Sequence, residues 1–229
     1  RGALHRLELY DFSFFDPAQL ALAPDRRDQA LDRATFVVFD TETTGLEPDR
    51  GDRVVSLAGV KVQGGTVRRS KHFDALVNPG RPIPPGSAAL HGITDARVVG
   101  MPSLEAVMPA FLRFTQGAVL VGHEVWFDLR FLEPEAQRLG LPSIASSHPV
   151  LDTHLLSRLV HGELPEHGLD AVAGRLGVTI QGRHSALGDA YATAEVLVRL
   201  LGLLRGRGVT TLGALLDAVG SLRRPLGGA

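Results

Sequence analysis

Asp40 and Glu42 stand two residues apart at the end of a β-branched and aromatic run, Thr35-Phe36-Val37-Val38-Phe39-Asp40. On a strand, residues two apart point to the same face, so the two carboxylates are neighbours. Adjacent carboxylates repel each other unless a cation neutralises them, and hard divalent cations are the natural partners of such oxygen donors. Acidic residues are also common where strands meet loops, so the pair alone is not diagnostic. The following Thr43-Thr44-Gly45 adds two hydroxyls and a permissive glycine, where backbone can approach a ligand closely. A third carboxylate, Asp128, lies in Val121-Gly122-His123-Glu124-Val125-Trp126-Phe127-Asp128, where a strand runs into a helix. There the helix dipole alone would account for a negative charge. His184 and Asp189 lie in Gly182-Arg183-His184-Ser185-Ala186-Leu187-Gly188-Asp189, as a loop histidine followed by a carboxylate in a first helical turn.

The elements that must position these residues read as follows. Thr35–Asp40 is near-continuously apolar, which suits a central strand covered on both faces. Arg53–Val62 and Thr66–Val77 flank Gly64-Gly65 and read as an antiparallel hairpin. The proline-rich segment from Pro79 to Gly86 reads as a loop. Ser103–Thr115 has helical spacing, with Ser103 as its N-cap. Ala118–Val121 reads as a strand and Trp126–Leu139 as a helix that contains Pro134. Val150–Leu159 reads as a helix after a short strand, and Leu169–Leu176 as a helix stopped by Gly177. Asp189–Leu204 is the strongest helix, and Val209–Val219 reads as a final amphipathic one. The expected fold is α/β, a mixed central sheet starting with three antiparallel strands and carrying helices on both faces. No Gly-x-Gly-x-x-Gly follows the first strand, so a dinucleotide fold is unsupported. The expected division is a 1–34 extension bearing Tyr10, Phe12, Phe14 and Phe15, a 35–205 main domain, and a 206–229 helix and tail.

The 229 residues include 24 Lys+Arg and 25 Asp+Glu, a formal net charge of -1. That balance argues against a nucleic-acid binder that relies on a broad cationic face. There is no cysteine, which excludes disulfides, thiolate metal sites and cysteine nucleophiles. No apolar run approaches the ~18 residues of a membrane span, so a cytoplasmic protein with no membrane partner is expected. The chain opens on Arg1 rather than Met, as a fragment of a longer protein would.

Asp-x-Glu-Thr-Thr-Gly on a first strand, Phe-Asp after a later strand and His-x-Ala-x-x-Asp before the last long helix occur here in order. With these motifs, from Ala34 to Leu204, the chain resembles the DEDDh class of 3′–5′ exonucleases, which have an RNase H-like fold. It is most similar to the branch of proofreading epsilon subunits of bacterial DNA polymerase III, whose His-Gly-Ile-Thr segment is matched by His91-Gly92-Ile93-Thr94. The resemblance implies that Asp40, Glu42, Asp128 and Asp189 bind two divalent cations, Mg²⁺ or Mn²⁺, and that His184 is the general base. The alternative class carries a Tyr four residues before the last Asp; here that residue is Ser185, and Tyr191 comes after Asp189. Thr43, His91 and Phe127 match positions that contact the 3′-terminal nucleotide.

These parallels imply a metal-dependent exonuclease acting on the 3′ end of single-stranded or frayed DNA. The alternatives are an oligoribonuclease-like enzyme acting on RNA, and a module docking on a DNA polymerase subunit through its flanks. One position departs from the family pattern. The segment before Phe-Asp usually reads His-Asn-Ala, and here it is His123-Glu124-Val125.

Other residues read as structural. Trp126 suits core packing. His148, His154, His161 and His167 lack helical i, i+4 spacing or a cysteine partner and read as surface or packing residues. Asp152 and Asp170 read as helix caps. Gln19-Leu20-Ala21-Leu22 resembles a clamp-binding peptide but lacks its terminal aromatic. Arg68, Arg69 and Lys71 read as a solvated basic edge.

Overall fold

The structure, a computed structural model, describes residues 24–162 and 164–222. The aromatic cluster at Tyr10–Phe15, the Gln19–Leu22 segment and the glycine-rich end lie outside them. A five-stranded sheet runs in the order β3-β2-β1-β4-β5, with β1 Thr35–Thr43, β2 Val54–Gln63, β3 Thr66–Leu76, β4 Val119–Gly122 and β5 Val150–Asp152. The β1–β2 and β2–β3 pairs are antiparallel. The β1–β4 and β4–β5 pairs are parallel. Gly64 and Gly65 both adopt positive φ, 61° and 67°, as a tight two-residue hairpin turn requires.

Strand parity divides the core. Phe36 and Val38 of β1 face one layer, with Val60, Val62, Val119, Val121 and Leu151. That layer is covered by α7 Thr153–His161, α8 Leu169–Arg175, α9 Ala186–Gly206 and α10 Leu212–Ser221. Val37 and Phe39 face the other layer, covered by α4 Leu104–Thr115 and α5 Val125–Arg138. Each fully buried side chain of the Leu120 or Phe39 kind contributes about 1.5–3 kcal/mol of burial free energy.

β1 pairs with β4 only through Phe36–Val38, while it stays paired with β2 as far as Thr43. Beyond Val38 the parallel neighbours therefore separate. A crevice at the carboxyl ends of strands, where chain direction switches from one neighbour to the next, is the ordinary ligand position in open α/β sheets.

The helix expectations need local correction. Pro85 does not extend a loop but opens α2, Pro85–His91, because proline suits the first helical turn. Val150–Asp152 is strand rather than helix, since all three residues are buried in the β4 ladder. Ser103 occupies the N-cap position without a side-chain capping bond. Asp152 does cap α7, accepting from His154 N at 2.8 Å, whereas Asp170 is not a cap; the N-cap of α8 is Gly168. Short helices α1 Pro24–Arg27, α3 Asp95–Val98 and α6 Ile144–Ser147 complete the fold.

The two flanks meet each other. Leu31 N donates to Thr210 O and Leu212 N to Gln29 O, both at 2.9 Å, and Leu31, Leu212, Leu215 and Leu216 join the α9 core layer. On the exposed edge strand β3, Arg69 pairs with Glu195 at 3.4 Å and lies over the Tyr191 ring. Charge on an edge strand discourages pairing with a second sheet. No helix among the described residues is long and apolar enough to cross a membrane.

Candidate active site

The parity that sorts the core also sorts the carboxylates. Asp40 and Glu42 continue the Phe36–Val38 register toward the α9 layer. Thr41 continues Val37–Phe39 toward the α5 layer. Accordingly, Asp40 and Glu42 meet Asp189 of α9: one carboxylate oxygen of each lies within 4.8 Å of the others. Thr41 meets Asp128 of α5, donating to Oδ1 from its backbone N–H at 3.0 Å and from its hydroxyl at 2.6 Å. Asp128 is buried in the first turn of α5, where Thr41 of β1 adds two donors to whatever the helix dipole supplies.

Asp189 is held by the loop before α9. Ser185 caps that helix through Gly188 N at 3.2 Å, which puts Asp189 in the first turn. Gly188 is required: a Cβ there would lie 2.2 Å from Gly182 O and 2.6 Å from Gln181 O. His184 precedes the cap in the left-handed region, φ 61°, and its backbone N–H donates to Asp189 Oδ2 at 3.3 Å. A non-glycine residue in that region is uncommon and concentrates at functional positions.

Burial pushes the Asp189 carboxyl above its ordinary pKa, and the Arg183 guanidinium and the His184 N–H work against that rise. Arg183 forms an ion pair with Asp189 Oδ2 and a second with Asp170 at 3.1 Å. Its hydrogen bond holds the Asp170 carboxyl below the usual range. Asp189 Oδ1 is buried without a hydrogen-bond partner among the described residues. An all-oxygen set of three converging carboxylates with an orphaned buried oxygen suits a hard divalent cation.

Beside the carboxylates, Thr43 donates to Gly45 O at 2.6 Å. Ser87 of α2 donates to Thr44 O at 2.7 Å, tying that helix to the end of β1. His91, the last residue of α2, is buried beside the Thr43 backbone, and burial lowers its pKa. Its Nδ1 accepts from Ile93 N at 3.1 Å. Thr43 and His91 are thus brought together. Phe127 is buried against Phe131, ring centroids 5.2 Å apart, and Trp126, 6.3 Å. Trp126 is core, as its apolar surroundings suggested. The Tyr191 hydroxyl donates to Arg69 O at 2.8 Å, away from the carboxylates.

A second polar cluster escaped the sequence reading. His123 and Glu124, after β4, and His154, after β5, bring one ligand atom each within 4.8 Å of one another. His148, His154 and His167 are all buried, and burial pushes His154 down to about 4. The signal available in sequence was the shared position of these residues just past two neighbouring parallel strands, not their spacing along the chain.

A model of the family described as Exonuclease matches residues 37–197. The chain is 48% identical over 217 residues to the DNA polymerase III subunit epsilon-like protein of Rhodobacter capsulatus, covering 93% of this chain and 30% of that protein. It is 38% identical over 175 residues to the DNA polymerase III subunit epsilon of Aquifex aeolicus, covering 76% and 84%. The chain spans less than a third of the Rhodobacter relative and 12% of the PolC-type DNA polymerase III of Lacticaseibacillus paracasei, with which it is 40% identical over 170 residues. Among solved structures, Exonuclease X in complex with 5′ overhanging duplex DNA superposes with a TM-score of 0.62 at 28% identity, over 81% of this chain and 99% of that one. The nuclease domain of 3′hExo, a DEDDh family member bound to rAMP, shares the fold, with a TM-score of 0.66 at 18% identity over 76% and 94%.

Proposed function

The chain belongs to the exonuclease family, the divalent-metal-dependent 3′–5′ exonucleases of RNase H-like fold, and on that premise we propose that it hydrolyses single-stranded or frayed DNA from the 3′ end. The observation that carries this reading is the convergence of Asp40, Glu42 and Asp189 within 4.8 Å, with Asp128 tied to the intervening Thr41. Asp40, Glu42, Asp128 and Asp189 would hold two ions, Mg²⁺ or Mn²⁺. When bound, these ions would stabilise the attacking and leaving oxygens of an in-line displacement and neutralise the scissile phosphate.

The chain's own residues supply the rest. His184 accepts a proton from the attacking water, a task suited to an imidazole at neutral pH. The water oxygen bonds to phosphorus, the bond to the preceding nucleotide's O3′ breaks, that oxygen takes up a proton from solvent, and a nucleoside 5′-monophosphate leaves. The left-handed backbone at His184 aims its N–H at Asp189 Oδ2. Thr43 and His91 seat the terminal sugar, and Phe127 offers an aromatic edge to its base. Because positive charge arrives with the ions, the formal net charge of -1 is compatible with a nucleic-acid substrate. Similarity to epsilon subunits supports DNA over RNA, and association with a DNA polymerase.

The test uses single strands of one sequence, DNA and RNA, labelled at either end and incubated with Mg²⁺ or Mn²⁺. Stepwise shortening of the 5′-labelled DNA, immediate release of the 3′ label as mononucleotide, and loss of both in Asp40→Ala are expected. Cleavage from the 5′ end, or undiminished activity in Asp40→Ala, would contradict the reading.

A further inference from the structure

We propose that His123, Glu124 and His154 form a binding site for one Zn²⁺-class ion, separate from the carboxylate set on β1, α5 and α9.

The placement follows from topology. β4 and β5 are parallel neighbours paired through Gly122↔Asp152. The residues just beyond that pair, His123-Glu124 on one strand and Thr153-His154 on the other, are therefore side by side. One ligand atom from each of His123, Glu124 and His154 lies within 4.8 Å of the others, and His154 Nδ1 is 3.8 Å from Glu124 Oε1. Two donors on one tetrahedral zinc lie about 3.4 Å apart, so each atom needs to move by less than about 1 Å to close on an ion. Glu124 and His154 are buried, with His123 half-buried beside them.

The surroundings are arranged as an outer layer of a metal site. The Thr153 hydroxyl donates to Gly122 O at 3.1 Å. Its oxygen is thereby left to accept from His123 Nδ1, 2.8 Å away. That bond fixes the proton on Nδ1 and leaves Nε2 as the lone-pair nitrogen, the form in which an imidazole binds metal. Asp152 accepts from Glu124 N at 3.0 Å, Val125 N at 3.1 Å and His154 N at 2.8 Å. One buried carboxylate thus locks the backbone of two proposed ligands. Glu124 is held in the left-handed region, φ 61° and ψ 45°, an uncommon conformation for a glutamate that directs its side chain toward α7.

His167 supplies an independent pointer. It is 6% exposed, and its ring centroid is 5.6 Å from that of His154. The Ser157 hydroxyl holds its Nδ1 at 2.9 Å, and its Nε2 is buried with no hydrogen-bond partner among the described residues. With water as the fourth donor, the set is two imidazoles and one carboxylate. Imidazole with one carboxylate suits zinc and its neighbours, whereas Mg²⁺ demands oxygen donors. The ion would join the start of α5 to the start of α7. Glu124 is one helical turn from Asp128, so the joint would stiffen the helix that carries the Asp128 carboxylate.

The experiment is a Co²⁺ titration of chelator-treated full-length chain in saturating Mg²⁺, read by visible absorption and followed by Zn²⁺ displacement. One equivalent of Co²⁺ with the intense bands of a four- or five-coordinate nitrogen site is expected, bleached by one equivalent of Zn²⁺. Asp40→Asn keeps the bands. Glu124→Gln and His154→Gln each weaken Co²⁺ binding at least about 100-fold, at the upper end of what loss of a single metal-site group does. Glu124→Gln is near-isosteric, so it decides the matter if His154→Gln does not fold. Absence of the bands from the wild-type chain, bands unchanged in Glu124→Gln, or bands lost in Asp40→Asn but kept in Glu124→Gln would overturn the proposal.

Discussion

Thr41 and Asp128 are joined by two hydrogen bonds to one carboxylate oxygen, from the backbone N–H at 3.0 Å and the hydroxyl at 2.6 Å. Thr41 is the residue between Asp40 and Glu42, so the α5 carboxylate is fixed to the strand segment that bears the other two. Their relative position therefore does not depend on the loops between them.

Thr41→Val keeps the backbone bond and removes the hydroxyl donor at nearly constant volume. Its expected effect is a fall in kcat of about 10–100-fold with KM little changed, at a stability cost of about 1 kcal/mol. Thr41→Ser restores most of the rate. Steady-state kinetics and urea melts of the two variants check this, and an unchanged kcat in Thr41→Val would show that the hydroxyl positions nothing.

Asp189 carries a buried charge whose Oδ1 has no hydrogen-bond partner among the described residues. Asp189→Asn removes that charge while Arg183 keeps Asp170. In chelator the variant melts at or above the wild-type temperature, by up to about 4 °C for each kcal/mol gained. Millimolar Mg²⁺ raises the wild-type melting temperature and leaves the variant unmoved. Thermal melts with and without Mg²⁺ measure both effects.

His184 has a proton-transfer task and an unusual backbone. His184→Ala lowers kcat by about 10²–10⁴-fold while the Mg²⁺-dependent rise in melting temperature persists. At φ 61° the β-branched His184→Val costs a further 1–2 kcal/mol, roughly, relative to His184→Asn, which tolerates that conformation. Equal stability of the two would argue against the left-handed backbone at this position.

His148 reports on pH. It is buried, bonded to Thr115 Oγ1 at 3.2 Å and Ile144 O at 3.1 Å, and burial lowers its pKa below 6.5. Below pH ~6.5 the unfolded chain takes up a proton that the folded chain refuses, so its contribution is complete above that value and is lost as pH falls toward the folded pKa. Urea midpoints at about pH 7.5 and about pH 5 fall less steeply in His148→Gln than in the wild-type chain.

The legible parts of this fold share a physical cause. β1 showed itself because residues 36–39 are buried on both faces, and the Gly64-Gly65 hairpin because both positions need positive φ. Asp40 and Glu42 were legible as a pair through strand parity, and Asp189 through its place in a helix start. Less legible was Val150–Asp152, whose two apolar residues and one aspartate pass straight into a helix and take their strand character from β4. Pro85 hid α2, because a proline looks the same in a loop and in a first helical turn. The bonds of Asp128 to Thr41 and the juxtaposition of His123, Glu124 and His154 are products of sheet order. Chain spacing carries no trace of either, since the partners are 87 residues apart in the first case and come from separate strands in the second.

The most direct test of the central claim is anomalous diffraction from crystals soaked with Mn²⁺ and a deoxynucleoside 5′-monophosphate. The account predicts two manganese peaks sharing an Asp40 oxygen, with Glu42, Asp128 and Asp189 as the other protein donors and the nucleotide sugar against Thr43 and His91. Manganese that avoids Asp40, or a phosphate bound away from the β1 carboxylates, would contradict it.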